Sequence, residues 1–390
     1  MEQYIMKNQR RLRSGITTGT CAVAAAQAAA MKLLGVSSGE DTIAVYTPKG
    51  ITVNVPVTLI SVTGNSCEYM VVKDSGDDPD VTNGVKVYTR VEKPPEMISE
   101  TAFHSRDYSE LYLEGGTGIG RITKKGLEQA VGQAAINIVP REMIFRAVGE
   151  ICRQAEYRDT LLITVSIPEG EELARKTFNP RLGIEGGLSV LGTSGILEPM
   201  SEKAIVDTIE TEIKLLAAQG RKQLLAAPGN YGQSYIADYL HLDMEQSVKC
   251  SNYIGETIDL AVAYGMEHFL LVGNIGKLVK LAAGIMNTHS RVADARGEIF
   301  AVHTVLCGGT REMAEVLMKC VNTEQMLEYL EEWKLREPVM KSICQRIEEY
   351  MGYRIGEKMK FGVVLFSERF GYLGQTSDAG ELCRYLAEHS

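Results

Sequence analysis

The chain has 390 residues, 45% apolar and 23% charged, which is enough material for two domains with separate cores. Its formal net charge of −9 argues against nucleic acid as a general partner and against an anionic membrane surface, while leaving room for an anionic small molecule at a local cluster of cations. The eight cysteines are never closer than thirteen residues, so no C-x-x-C pair exists for a zinc ribbon or a redox site, and their scatter suits a reducing cytoplasm.

No apolar run approaches the ~20 residues of a membrane span. Lys7, Arg10, Arg11 and Arg13 precede an alanine run, but Thr17-Thr18-Gly19-Thr20 separates the two and Gln27 interrupts the alanines. The segment therefore reads as part of the fold rather than as a leader. Thr20 to Leu34 holds seven alanines and predicts a helix, capped by Thr18 or Thr20 and closed by Gly35. Its alanine face would let a sheet approach closely, and its N-terminus, following RSGITTG, would also suit an anion.

Thr42–Tyr46 and Ile51–Val57 predict a hairpin around Pro48-Lys49-Gly50, and Ser66–Lys73 and Gly84–Val91 predict further strands. Between the latter pair lies KDSGDDPDVTNG, with Asp74, Asp77, Asp78 and Asp80. Its spacing does not match a calcium loop. It reads first as a turn whose aspartates bond nearby backbone, with metal ligation and a grip on a cationic or hydroxyl-bearing ligand as alternatives. After a polar excursion over 92–110, Gly115, Gly116, Gly118 and Gly120 form a loop made basic by Arg121, Lys124 and Lys125; a plain turn and a ligand loop fit it equally. NIVPR at 137–141 opens a helix, and Leu161–Ile167 is another strand. Residues 1–185 thus predict an α+β layered domain.

Phe178–Ser201 carries five glycines between Gly183 and Gly195. Leu188–Leu191 reads as a buried strand running into Gly192-Thr193-Ser194-Gly195, with a helix opening at Pro199-Met200-Ser201. That geometry presents backbone N–H groups to a ligand; a tight connection in which glycine permits close packing is the alternative. From here Leu188–Leu191, Leu224–Ala227, His268–Val272 and Phe361–Phe366 alternate with helical pattern, predicting a Rossmann-like, mostly parallel α/β domain over 186–390 with a helical C-terminal region. Three of these strands lead into glycine loops, 192–195, Gly229-Asn230-Tyr231-Gly232 and Gly273-Asn274-Ile275-Gly276. None is a Walker or G-x-G-x-x-G motif. Lys277–Met286 predicts a helix bearing Lys280, followed by a polar connection with His289, Arg291 and Asp294. Residues 322–359 predict a charged amphipathic helix broken at Pro338.

Six stretches in order resemble the CbiD family: RSGITTGTCAVAAA, KDSGDDPDVT, EGGTGIGRITKKGL with AINIVPR, FNPRLGIEGGLSVLGTSGI, APGNYG and GNIGKLVKLAAGIMNTHSR. The chain departs at Asn274, where the family often has histidine. The resemblance implies a two-domain methyltransferase of anaerobic cobalamin biosynthesis. It would transfer a methyl group from S-adenosylmethionine to C1 of cobalt-precorrin-5B, giving cobalt-precorrin-6A, with cobalt present only inside the substrate and no metal held by the protein. On that reading Gly192, Thr193, Ser194, Gly195, Gly229, Asn230, Gly232, Gly273, Asn274 and Gly276 are candidates for the cofactor. Asp77 and Asp78 would face its cationic or ribose end. Arg121, Arg181, Lys277, Lys280 and Arg291 would take the tetrapyrrole's carboxylates. His289, with Asp294, would handle a proton or orient a reacting group. Two rival readings are a small-molecule kinase, disfavoured by the missing P-loop, and a non-catalytic corrinoid carrier that needs no S-adenosylmethionine. A homo-oligomer stays open.

Overall fold

The computed structural model describes residues 3–7, 9–37, 39, 41–93, 98–177, 179–242 and 247–388, the side chains of Asn230 and Tyr231 excepted. The chain forms two compact units, Met1–Ser201 and Glu202–Ser390.

The first unit is organised by the alanine helix, Thr18–Leu33. Ala22, Ala24–Ala26 and Ala28–Ala30 are buried against one face of a six-stranded sheet. Its order is Thr58–Val62, Ser66–Val72, Lys86–Glu92, Leu161–Ser166, Leu111–Gly115, Phe103–His104. Small side chains bring the helix so near that Thr89, on a strand, donates its hydroxyl to the Ala22 carbonyl at 3.2 Å. Strand residues alternate buried and less buried, with Leu161, Ile163 and Val165 turned to the core. Leu111–Gly115 pairs parallel with Leu161–Ser166, joined through the Ile138–Gln154 helix; the other pairings are antiparallel. The expected hairpin is present, Thr42–Tyr46 against Thr52–Pro56. The helix cap is Thr17 rather than Thr18 or Thr20: its hydroxyl accepts from the Thr20 N–H.

Leu188–Leu191 does not form a strand of a parallel sheet. It makes only isolated bridges, Leu188 to Ile119 and Val190 to Ile136, and both side chains are buried in the first unit. The unit boundary accordingly falls after Ser201 and not at 185. Residues 186–201 are bound into the first unit: the Leu188 N–H donates to Gly118 O at 2.9 Å, Ile196–Leu197 pairs with Gly15–Ile16, and the Met200 N–H reaches Asp78 Oδ1 at 2.8 Å.

The second unit contains a five-stranded sheet ordered Ser247–Lys249, Gln223–Ala227, His268–Asn274, Lys360–Ser367, Gly371–Gln375. The first four strands are parallel and the last is antiparallel. Its strands are apolar runs because both faces are covered. Leu224, Phe269, Leu271 and Val363 enter one core, and Leu225, Leu270, Val272 and Val364 the other. Ile275–Leu278 is only a short helix, followed by a 3₁₀ turn at Val279–Ala283 and left-handed Gly284. The C-terminal helical pattern breaks at Trp333–Leu335, not at Pro338; Pro338 lies in the first turn of Arg336–Ile355, where a missing N–H costs little.

His303 is buried between two helices, its Nδ1 2.8 Å from Ser342 Oγ. Burial, and then the nearby Arg346, holds its pKa below the ordinary histidine value. The unfolded chain therefore takes the proton more readily, and stability present above about pH 6.5 should be lost as the pH falls below it. His303→Gln is expected to flatten the decline of Tm between about pH 7 and 5; an unchanged slope would contradict this role.

Candidate functional site

In the first unit the glycine-rich motifs close on one another. Arg13 clamps Asp74 with two nitrogens at 2.5 and 2.7 Å, which holds the Asp74 carboxyl below the usual carboxylate range. Gly15 lies where a Cβ would stand 2.2 Å from the Ser75 carbonyl carbon. Asp77 accepts the Arg13 N–H at 2.6 Å and Asp78 the Met200 N–H. Both aspartates thus brace backbone within the unit, which is the turn role the sequence offers first. Gly192-Thr193-Ser194-Gly195 lies over the start of the alanine helix and not at the edge of the parallel sheet. Gly195 O accepts from Thr20 Oγ1 at 2.7 Å, Leu191 O from the Gly19 N–H, and Ser194 Oγ bonds its own loop at Ile196. These contacts occupy the helix terminus that would otherwise suit an anion. Arg121 is spent on Glu114 and the Gly115 carbonyl, both at 2.7 Å. Arg181 is exposed and forms no ion pair with a described residue.

Two of the three expected glycine loops do lie together, at the carboxyl ends of Gln223–Ala227 and His268–Asn274. Chain order across this sheet is 2-1-3-4-5, so the connections leaving these two neighbours run to opposite sides, which is the place where ligands of open α/β sheets bind. The loops differ in what their glycines do. At Gly273 and Gly232 an added Cβ would meet Leu278 Cδ1 at 2.8 Å and Val272 O at 2.9 Å, so these glycines permit packing. Gly229 is extended, with φ 176°, and among the described residues outside its chain neighbours the heavy atom nearest its missing Cβ is Lys277 Nζ at 4.0 Å. Asn274 caps the short helix, its Oδ1 accepting from the Gly276 N–H at 2.8 Å. The Asn230 side chain lies outside the described residues.

Lys277 reaches from its own loop to the neighbouring one and donates to Pro228 O at 3.0 Å. It is partly buried, and no carboxylate among the described residues pairs with it. Burial pushes its pKa below that of an ordinary lysine, with Cys250 and Lys249 acting in opposite directions. A desolvated ammonium without a counter-charge is costly unless an anion is bound there. Cys250 follows the Ser247–Lys249 strand, which sequence reasoning missed because three residues carry too little pattern.

The polar connection is arranged differently from expectation. Lys280 is 2% exposed and holds that connection by donating to Thr288 O and Ala293 O at 3.0 and 2.9 Å, so it braces backbone and does not face a substrate. His289 Nδ1 accepts the Arg291 N–H at 3.1 Å, which assigns the neutral ring its proton at Nε2 and suits donation better than base catalysis. Asp294 is bound to Arg296 at 2.8 Å and does not touch His289. Arg291 is exposed. Among the described residues no group of three His, Cys, Asp or Glu side chains could hold a metal, and no helix is long and apolar enough to cross a membrane.

A family model described as CbiD matches residues 5–199, and one described as CbiD, C-terminal domain, matches 287–377. The chain belongs to the CbiD family. A relative from Ruminiclostridium cellulolyticum named cobalt-precorrin-5B C(1)-methyltransferase is 46% identical over 368 residues, covering 94% of this chain and 92% of its own. One of the same name from Alkaliphilus metalliredigens is 37% identical, covering 99% and 98%. A crystal structure of the cobalamin biosynthesis protein CbiD from Archaeoglobus fulgidus is 26% identical and covers 75% of this chain and 88% of that one, with a TM-score of 0.38. The Gly229 and Lys277 loops fall between the two CbiD family matches.

Lys280→Met removes two charge-assisted bonds and orphans two carbonyls. It is expected to cost about 2–4 kcal/mol in denaturant unfolding and to speed amide exchange over 288–293. Wild-type stability and exchange would contradict the bracing role.

Proposed function

We propose that the chain transfers a methyl group from S-adenosylmethionine to C1 of cobalt-precorrin-5B, the reaction carried in the names of relatives up to 46% identical over most of its length. We read the second unit as Rossmann-like, and place the methyl donor at its parallel-sheet edge. The observation that carries this placement is Lys277: an ammonium without a carboxylate partner among the described residues, its Nζ 4.0 Å from where a Gly229 Cβ would stand, at the switch point of the sheet.

The residues there fit the donor's amino-acid end. Lys277 would pair with its carboxylate, Gly229 leaves room for it, and the Asn274 cap fixes the loop that carries Lys277. S-adenosylmethionine supplies an electrophilic methyl on a sulfonium, and an electron-rich macrocycle carbon is the nucleophile. The protein's task is then to hold two reactants in line and to exclude water, with no covalent residue required. Arg181 and Arg291, exposed and cationic, are suited to the tetrapyrrole's carboxylates. His289, with its Nε2–H directed away from the Arg291 bond, would donate rather than accept. Asp77, Asp78 and Lys280, which brace backbone, and the 192–195 loop, which is bound to the first unit's helix, are left out of the ligand set.

Two substitutions separate charge from space. Lys277→Met is expected to weaken S-adenosylmethionine and S-adenosylhomocysteine in parallel, by about tenfold or more, since the two share the carboxylate. Gly229→Val is unstrained at an extended φ and should block the same space without lowering Tm. Calorimetric titration reads both. Unchanged affinity in both variants would overturn the placement, and a wild-type protein that binds neither ligand would favour the corrinoid carrier.

A further inference from the structure

Several arginines of the first unit are tied to an oxygen, and one that is half-buried is not. Arg13 meets Asp74, Arg90 meets Glu92, Arg121 meets Glu114, and Arg153 donates to the Tyr108 hydroxyl. Arg141 has no such oxygen among the described residues. It stands in the first turn of the 17-residue helix Ile138–Gln154, inside the NIVPR motif. Its guanidinium lies over the Phe103 ring, 4.3 Å from the centroid, and Phe103 is itself 5% exposed. Nε is buried without an acceptor, and the terminal nitrogens, which reach solvent, bond no described residue.

The surroundings add positive potential without a cap. Asn137 makes no side-chain cap bond to this helix; its Oδ1 accepts from Gln129 Nε2 at 3.1 Å instead. The nearby carboxylate of Glu128 is placed on the Ile138 N–H at 3.4 Å, and among the described residues no carboxylate comes within ion-pair distance of Arg141. Burial lowers the arginine's pKa, while Glu128 and then Glu142 oppose the shift from farther off. A guanidinium held flat on an aromatic ring with its donors unspent is a fork shaped for a planar, two-oxygen acceptor.

We propose that Arg141, held on Phe103, is a docking point for a carboxylate group of a bound ligand. The chemistry has two sources. If the chain acts on a tetrapyrrole, as the reading above holds, a carboxylate arm of the macrocycle fits the fork. A free small carboxylate fits it equally.

The test titrates the intact protein with uroporphyrin, a macrocycle bearing eight carboxylates, with its methyl ester, with citrate, and separately with S-adenosylmethionine. Arg141→Gln removes the fork, Arg141→Lys keeps the charge without it, and Phe103→Leu keeps the arginine without its platform. With the macrocycle as source, both Arg141 variants lose about tenfold or more in uroporphyrin affinity, Phe103→Leu loses less, and the ester does not discriminate among them. S-adenosylmethionine affinity stays at the wild-type value in all three variants, and Tm does so in the two Arg141 variants. Loss confined to citrate would keep the site and assign it to a small free acid. Equal affinity of wild type and Arg141→Gln for both acids, or a wild type that binds neither, overturns the proposal. Failure to bind S-adenosylmethionine would instead count against the methyltransferase reading, and leaves the Arg141 comparison intact.

Discussion

A charge held out of water needs a partner, and Lys277 has none among the described side chains. The ammonium is fixed by one backbone carbonyl at the carboxyl end of a parallel sheet, where burial already weakens its hold on the proton. Everything around it is arranged to keep that position. Two apolar cores clamp the strands from either face, Asn274 caps the turn that carries the lysine, and Lys280 ties down the connection that follows. The cost of leaving such a group unpaired is the physical reason to place an anionic end of a ligand there.

Glycine carries two messages in this chain, and the sequence does not separate them. At several glycines of the first unit it lets backbones touch: an added Cβ would stand 2.2 Å from Ser75 C at Gly15, and 1.8 Å from Ile167 O at Gly118. Those motifs look like ligand loops in one dimension and form an interlocked backbone in three. At Gly229 the same residue type has, among the described residues outside its chain neighbours, only a lysine nitrogen opposite its missing Cβ. What distinguishes the cases is the atom standing opposite the missing Cβ, which no local pattern records.

Periodicity made the larger elements legible. The alanine run marks a helix that a sheet could approach, and Thr89 bonds to that helix's own carbonyl. The apolar runs at 224–227, 268–272 and 361–366 lie within parallel strands because strands covered on both faces lose their polar alternation. Leu188–Leu191 has the same composition and is no sheet strand, since flanking glycines thread it through the first unit. For the site, cations could be found by type but not by commitment. Lys277 and Lys280 are one turn apart in sequence; one bonds a single carbonyl of the neighbouring loop and the other is consumed by two carbonyls. Arg141, inside a motif that was legible from the start, gave no sign of lacking an acceptor, because pairing is decided by residues distant in the chain.

The most direct measurement is ultraviolet cross-linking of methyl-labelled S-adenosylmethionine to the intact protein, followed by peptide mapping. Label expected in the segments 228–232 and 273–277, and suppressed by excess S-adenosylhomocysteine, would place the methyl donor at the parallel-sheet edge. Label confined to 13–20, 74–80 or 192–195 would contradict that placement and return the ligand to the glycine motifs of the first unit.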